Sequence, residues 1–104
     1  MSFTGTESEV IALEDATDWT SNYRSDNPGE IKAHFFGKNK LNLILNQTGC
    51  VGIRAYYAID KNGIKQLVFV GVDSSEEDLY NGVILDRSIP IPCPNHCGTS
   101  SPLT

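Results

Sequence analysis

The chain has no excess of basic residues: Lys and Arg total 8 against 13 Asp and Glu, a net charge of −5. Proteins that follow a nucleic-acid backbone neutralise its phosphates with clustered cations, so nucleic acid is not an expected partner. No apolar run approaches the ~20 residues of a transmembrane helix, so none is expected in a membrane. The opening Met1-Ser2-Phe3-Thr4-Gly5-Thr6-Glu7 has neither the basic nor the apolar part of a secretory signal, which makes a reducing cytoplasm the expected compartment. The GxxxxGK, HExxH and GxSxG patterns are all missing, and with them the common phosphate-cradling, zinc-hydrolase and serine-hydrolase signatures. Three cysteines, an odd number, cannot form a complete disulfide framework.

What is present is a globular composition, 39% hydrophobic and 20% charged over 104 residues, enough for one core and too short for two. Thr6-x-x-Glu9 has the form of a capping box. The helical spacing of Val10, Leu13, Thr17 and Tyr23, behind an acid-rich start, predicts a helix over about residues 7 to 23. Asn27-Pro28-Gly29-Glu30 reads as a second start, with Asn27 as cap and Pro28 at the first helical position. This second helix carries Ile31, Phe35, Leu41, Ile44 and Leu45, is broken near Gly37, and stops at Gly49. Lys32, His34, Lys38 and Lys40 then form its solvated side.

Cys50 to Ile59 and Ile64 to Asp73 are rich in β-branched and aromatic residues, and Asp60-Lys61-Asn62-Gly63 between them predicts a β-hairpin. With Ile59 set opposite Ile64, an apolar face results from Val51, Ile53, Ala55, Tyr57 and Ile59 beside Val72, Val70, Val68 and Gln66, and this face is expected to lie on the helices. The other face then holds Arg54, Tyr56 and Phe69 around a facing pair, Gly52 and Gly71. Such bare strand backbone admits a partner. Ser74 to Tyr80 reads as a capped acidic helical turn, and Val83-Ile84-Leu85 as a short third strand. Pro90, Pro92, Pro94 and Pro102 predict an extended arm.

Phe35-Phe36-Gly37-Lys38, Gly49-Cys50-Val51-Gly52-Ile53-Arg54 with Tyr56, Val70-Gly71-Val72-Asp73 and Cys93-Pro94-x-x-Cys97 together resemble a group of small bacterial proteins to which no activity is assigned. The resemblance covers about residues 31 to 104. It implies that the glycines, Arg54 and the tail cysteines recur in similar chains, and it carries over no catalytic residue.

Three chemistries suit the cysteines. Cys93, His96, Cys97 and Cys50 supply the thiolate and imidazole types of a tetrahedral zinc shell; a disulfide joins two of the thiols; or all three are free. A nucleophilic Cys50 lowered by Arg54 lacks a positioned base, since the only histidines are His34 and His96. Asp73, Glu76, Glu77 and Asp78 lack the alternate spacing of a calcium loop, and Asp60 to Gly63 is explained as a turn.

The sequence therefore predicts an α+β domain over 1–87 with an extended Pro-rich arm over 88–104, two N-terminal helices packing on a small antiparallel sheet built on the 50–73 hairpin. The expected function is a non-enzymatic protein-interaction or assembly module that binds a protein partner or a second copy of itself and needs no cofactor. Its expected binding surface is Gly52, Arg54, Tyr56, Phe69 and Gly71. The alternatives are a small zinc-binding protein and a thiol enzyme centred on Cys50.

Overall fold

A computed structural model describes residues 2–87, 93 and 97–104. Pro90, Pro92, Pro94 and His96 lie outside them. The element order is α1 (Leu13–Asp26), α2 (Lys38–Leu45), β1 (Cys50–Ile59), β2 (Lys65–Asp73) and β3 (Ile84–Leu85). The strands form one antiparallel sheet in the order β1-β2-β3, the α+β arrangement expected from the sequence.

The first helix starts later than its capping-box pattern suggests. Glu7 does not serve a helix start; its carboxylate accepts the backbone amides of Thr4 and Gly5 at 2.8 Å each. Gly5 and Ser8 both sit at positive φ, a conformation that L-residues in a helix do not adopt. Asn27 ends α1 instead of opening a second helix, because its backbone N–H and its side-chain Nδ2 both donate to the Tyr23 carbonyl, at 2.9 and 3.0 Å. Residues 28–36 are consequently not helical. Gly29 turns the chain at φ +79, and Ala33 pairs with Cys93 as an isolated antiparallel bridge. The second helix begins only after Gly37, which is its N-cap.

The hairpin loop sets the rest. Asp60 N–H donates to the Ile64 carbonyl and Gly63 N–H donates to the Asp60 carbonyl, both at 2.9 Å. With Gly63 at φ +79, this is a tight turn followed by a one-residue bulge. The bulge consumes Ile64 as the partner of Asp60, so Ile59 stands opposite Lys65 rather than Ile64. From Ile59 back to Gly52 each pair is displaced by one residue relative to the sequence expectation: Gly52 faces Val72, Arg54 faces Val70, Tyr56 faces Val68, Ala55 faces Phe69 and Ile53 faces Gly71, and an irregularity between Cys50 and Gly52 then restores Cys50 opposite Asp73.

The side of the sheet carrying Gly71 receives α2. A methyl group on Gly71 would lie 3.3 Å from Ile44 Cγ2, 3.1 Å from Cys50 Sγ and 2.8 Å from Gln47 Nε2. Ile44 is fully buried there, and Phe36, just before the helix, stacks on Phe69 with ring centroids 3.8 Å apart. Gln47 fastens the end of α2 to the approach of β3, donating to the Ile44 carbonyl at 3.0 Å and accepting from Val83 N–H at 2.8 Å. The first helix is held at its far end, where Tyr23 Oη donates to the Ile31 carbonyl at 3.4 Å and Arg24 donates to the Leu103 carbonyl at 2.6 Å.

The two strand glycines make the register testable. Gly71→Ala forces a methyl into Ile44, Cys50 and Gln47 and is expected to lower stability by about 1–3 kcal/mol. Gly52 has no heavy atom within 4 Å of an added methyl, so Gly52→Ala should be near neutral. Urea denaturation of the two variants checks this, and equal effects would contradict the observed pairing.

Candidate functional site

Arg54, Tyr56 and Gly52 share one face with Val68, Val70 and Val72, whereas Phe69 and Gly71 lie on the opposite face against α2. The glycine pair and the Arg54–Phe69 surface expected from the sequence are therefore not assembled. The cause is the bulge at Gly63, since a shift of one residue exchanges the faces of a whole strand.

Arg54 is instead committed within the chain. Its guanidinium reaches across β2 to Asp78 Oδ1 at 2.6 Å and donates to the Glu76 carbonyl at 3.4 and 3.5 Å. Tyr56 Oη donates to Asp78 Oδ2 at 2.5 Å. The Tyr56 hydroxyl first, and the Asp78 carboxylate after it, hold the guanidinium above its ordinary range, outweighing partial desolvation. Phe3 closes the cluster, with its ring centre 5.8 Å from the guanidinium carbon. Beneath this polar roof Val70 and Val72 are 4% and 3% exposed.

Asp78 arrives there because residues 74–78 do not form the helical turn expected. Asp73 Oδ1 accepts the amides of Ser75 and Glu77 at 2.8 and 3.1 Å, turning the chain back. Asp78 then bridges Val72 antiparallel, and Leu79 N–H donates to the Gly71 carbonyl at 2.8 Å. The acidic loop is an internal anchor for Arg54.

The cysteines divide into two places. Cys93 and Cys97 are joined by a disulfide with Cα atoms 4.9 Å apart, and in that state neither sulfur is the thiolate that a zinc shell uses. Cys50 is a half-buried free thiol whose Sγ donates to the Gly52 carbonyl at 3.2 Å. It packs on the Gly71 side of the sheet, so it does not share a face with Arg54. No group of three or more potential metal ligands exists among the described residues. Nor is any described helix long and apolar enough to cross a membrane.

The open surface lies at the other end of the α2-facing side. A cleft of about 760 Å³ is lined by Tyr23, Ile31, His34, Tyr57, Ile59 and Leu67, among others. Beside it Tyr57 is 94% exposed and Ile59 72% exposed. The sequence placed both residues on the helix-facing side and so missed them as surface. The available signal was length: an eight-residue helix is ~12 Å long, and a ten-residue strand is ~33 Å long. The short helix covers the Ile53 end and leaves the Ile59 end bare. The His34 imidazole is pushed down by burial first and then by the Arg87 cation, with Asp86 opposing. Its Nδ1 is buried without a hydrogen-bond partner among the described residues. At the rim, buried Gln66 accepts from Arg87 Nε at 2.7 Å and donates to Asp60 Oδ2 at 2.9 Å.

The chain matches no known family model, no curated protein and no solved structure, so its function has to be argued from its own geometry.

The Asp60 carboxylate, which orders both the loop and this rim, is held below its usual range first by the Ile64 amide, then by Gln66, the Asn62 amide and Arg87. A carboxylate that protonates less readily when folded stabilises the fold above its unfolded pKa of about 4, and that contribution disappears as pH falls through the lower folded value. Stability measured against pH should therefore fall on acidification below about pH 4 more steeply in the wild type than in Asp60→Asn. Parallel acid limbs would contradict this.

Proposed function

We propose that this chain is a non-enzymatic protein-interaction or assembly module whose contact surface is the uncovered apolar end of the sheet. The observation that carries the reading is the exposure of Tyr57 and Ile59 beside a cleft walled by Tyr23, Ile31 and Leu67. Apolar and aromatic side chains gathered at a concave site are what protein interfaces use as anchors. Arg54 and Tyr56 lie on the opposite face of β1 from Tyr57 and Ile59, where both are bound to Asp78.

The size of the molecule supports the same reading. The chain exposes 7659 Å², where a compact monomer of its mass is expected to expose about 5,800 Å². Its radius of gyration is 15.3 Å against an expected ~13 Å.

Tyr57→Ser/Ile59→Ser removes the patch at exposed positions, where substitutions usually change stability by no more than ~0.5 kcal/mol each. The double variant is expected to keep the wild-type melting curve and to lose association, read by light scattering for self-assembly and by photo-crosslinking from position 64 for other proteins. Association equal to wild type, or a wild type that associates with nothing, would contradict the proposal.

A further inference from the structure

We infer that the partner is a second copy of this chain, joined through the outer edge of β1 so that two three-stranded sheets become one continuous six-stranded sheet. This rests on the interaction reading above and specifies its occupant.

The backbone supplies the first argument. In an antiparallel ladder, alternate residues turn their N–H and C=O groups toward the same neighbour. Asp60 N–H donates to the Ile64 carbonyl, so the groups of Ala58, Tyr56 and Arg54 also point at β2. Those of Ile53, Ala55, Tyr57 and Ile59 point away from the sheet. On the opposite side of β2 the Leu79 amide bonds the Gly71 carbonyl and the Asp73 amide bonds the Glu77 carbonyl, which confirms the alternation. Among the described residues no backbone group pairs with β1 from outside. The N-terminal segment lies beside the start of this strand, where the Val51 carbonyl would lie 3.1 Å from a methyl on Gly5 and Phe3, Gly5, Glu7 and Ser8 wall a cleft with Val51 to Arg54.

Natural edge strands guard against pairing with Lys, Pro or a bulge. Between Ile53 and Ile59 there is no Lys or Pro, and the ladder irregularity of β1 falls earlier, between Cys50 and Gly52. The one charge, Arg54, is drawn over β2 to Asp78 and away from the edge. Ala55, Tyr56, Tyr57 and Ile59 are all exposed.

The sequence of the edge selects a second copy over an unrelated strand, because it is self-complementary about Tyr56. Antiparallel pairing centred there sets Ile53 opposite Ile59 of the second copy and Ala55 opposite Tyr57 of the second copy, joining the outward backbone groups of each pair. In the second pair small meets large. Arg54 stands opposite Ala58 of the second copy, so no like charges face each other. A two-fold contact uses the same patch twice, as isologous dimers do.

Three measurements test the pairing. Wild-type protein at roughly 100 µM should sediment as a dimer and dissociate on dilution. Ala55→Pro removes an amide that points away from β2, so it should keep the wild-type circular dichroism and sediment as a monomer over the same range. Tyr56→Cys in a Cys50→Ser background places two thiols across the two-fold at a non-hydrogen-bonded pair, about 4.5 Å between Cα atoms, and should oxidise to a covalent dimer much faster than Tyr80→Cys in the same background. A monomeric wild type overturns the inference, as does a dimer that survives Ala55→Pro with no preferential crosslinking at position 56. In the second outcome association through another surface leaves the interaction reading standing; loss of all association in the wild type removes both.

Discussion

The structure depends on one constraint, the three-residue turn at Lys61, Asn62 and Gly63 with its bulge at the glycine. Gly63 takes the positive φ that the bulge requires, and Asp60 fixes the turn by accepting the amides of Asn62 and Ile64 through Oδ1 at 2.8 and 3.0 Å. One extra residue on the second arm decides which side of β2 each side chain occupies. From that follow the stack of Phe36 on Phe69, the seat of Ile44 over Gly71, and the reach of Arg54 and Tyr56 over Val70 and Val72 to Asp78. The same parity aims the backbone of Ile53, Ala55, Tyr57 and Ile59 outward.

The elements that were legible in the sequence are those with a local cause. The hairpin, the third strand at Ile84–Leu85 and the helix ending before Gly49 each carry their own turn or stop signal. The register was not legible, because β2 is the central strand. Leu67, Val68, Phe69, Val70 and Val72 are apolar on both of its faces, so hydrophobic patterning fits either alignment and only the loop geometry chooses. The helix starts failed for a different reason. Residues expected at helix starts have other uses: Asn27, read as a cap, bonds the Tyr23 carbonyl, Glu7 of the acid-rich start bonds the Thr4 and Gly5 amides, and 31–36, with Ile31, Phe35 and Phe36, are not helical, Ala33 bridging Cys93.

The candidate site was half legible. Arg54 and Tyr56 stood out as polar and aromatic residues in an apolar strand, and they do converge, but on Asp78 of their own chain. Tyr57 and Ile59 looked like core residues because the strand pattern says which face a residue is on, not whether a helix reaches far enough to cover it. Eight residues of α2 cover one end of the sheet. The other end is closed only in part by 31–34, and the tail fastens that segment: the Lys32 and Ala33 amides donate to the Cys93 carbonyl at 2.8 and 3.2 Å, and Lys32 Nζ donates to Thr104 at 2.9 Å. The short helix and the pinned flank leave that end of the sheet open, and the proposed contact lies there.

The register is the claim beneath all of this, and nuclear Overhauser contacts between α-protons across the hairpin report it most directly. Residues facing each other without mutual backbone hydrogen bonds bring these protons close. The account predicts such contacts for Ala55 with Phe69 and for Tyr57 with Leu67; contacts of Ala55 with Val68 and of Tyr57 with Gln66 would contradict it.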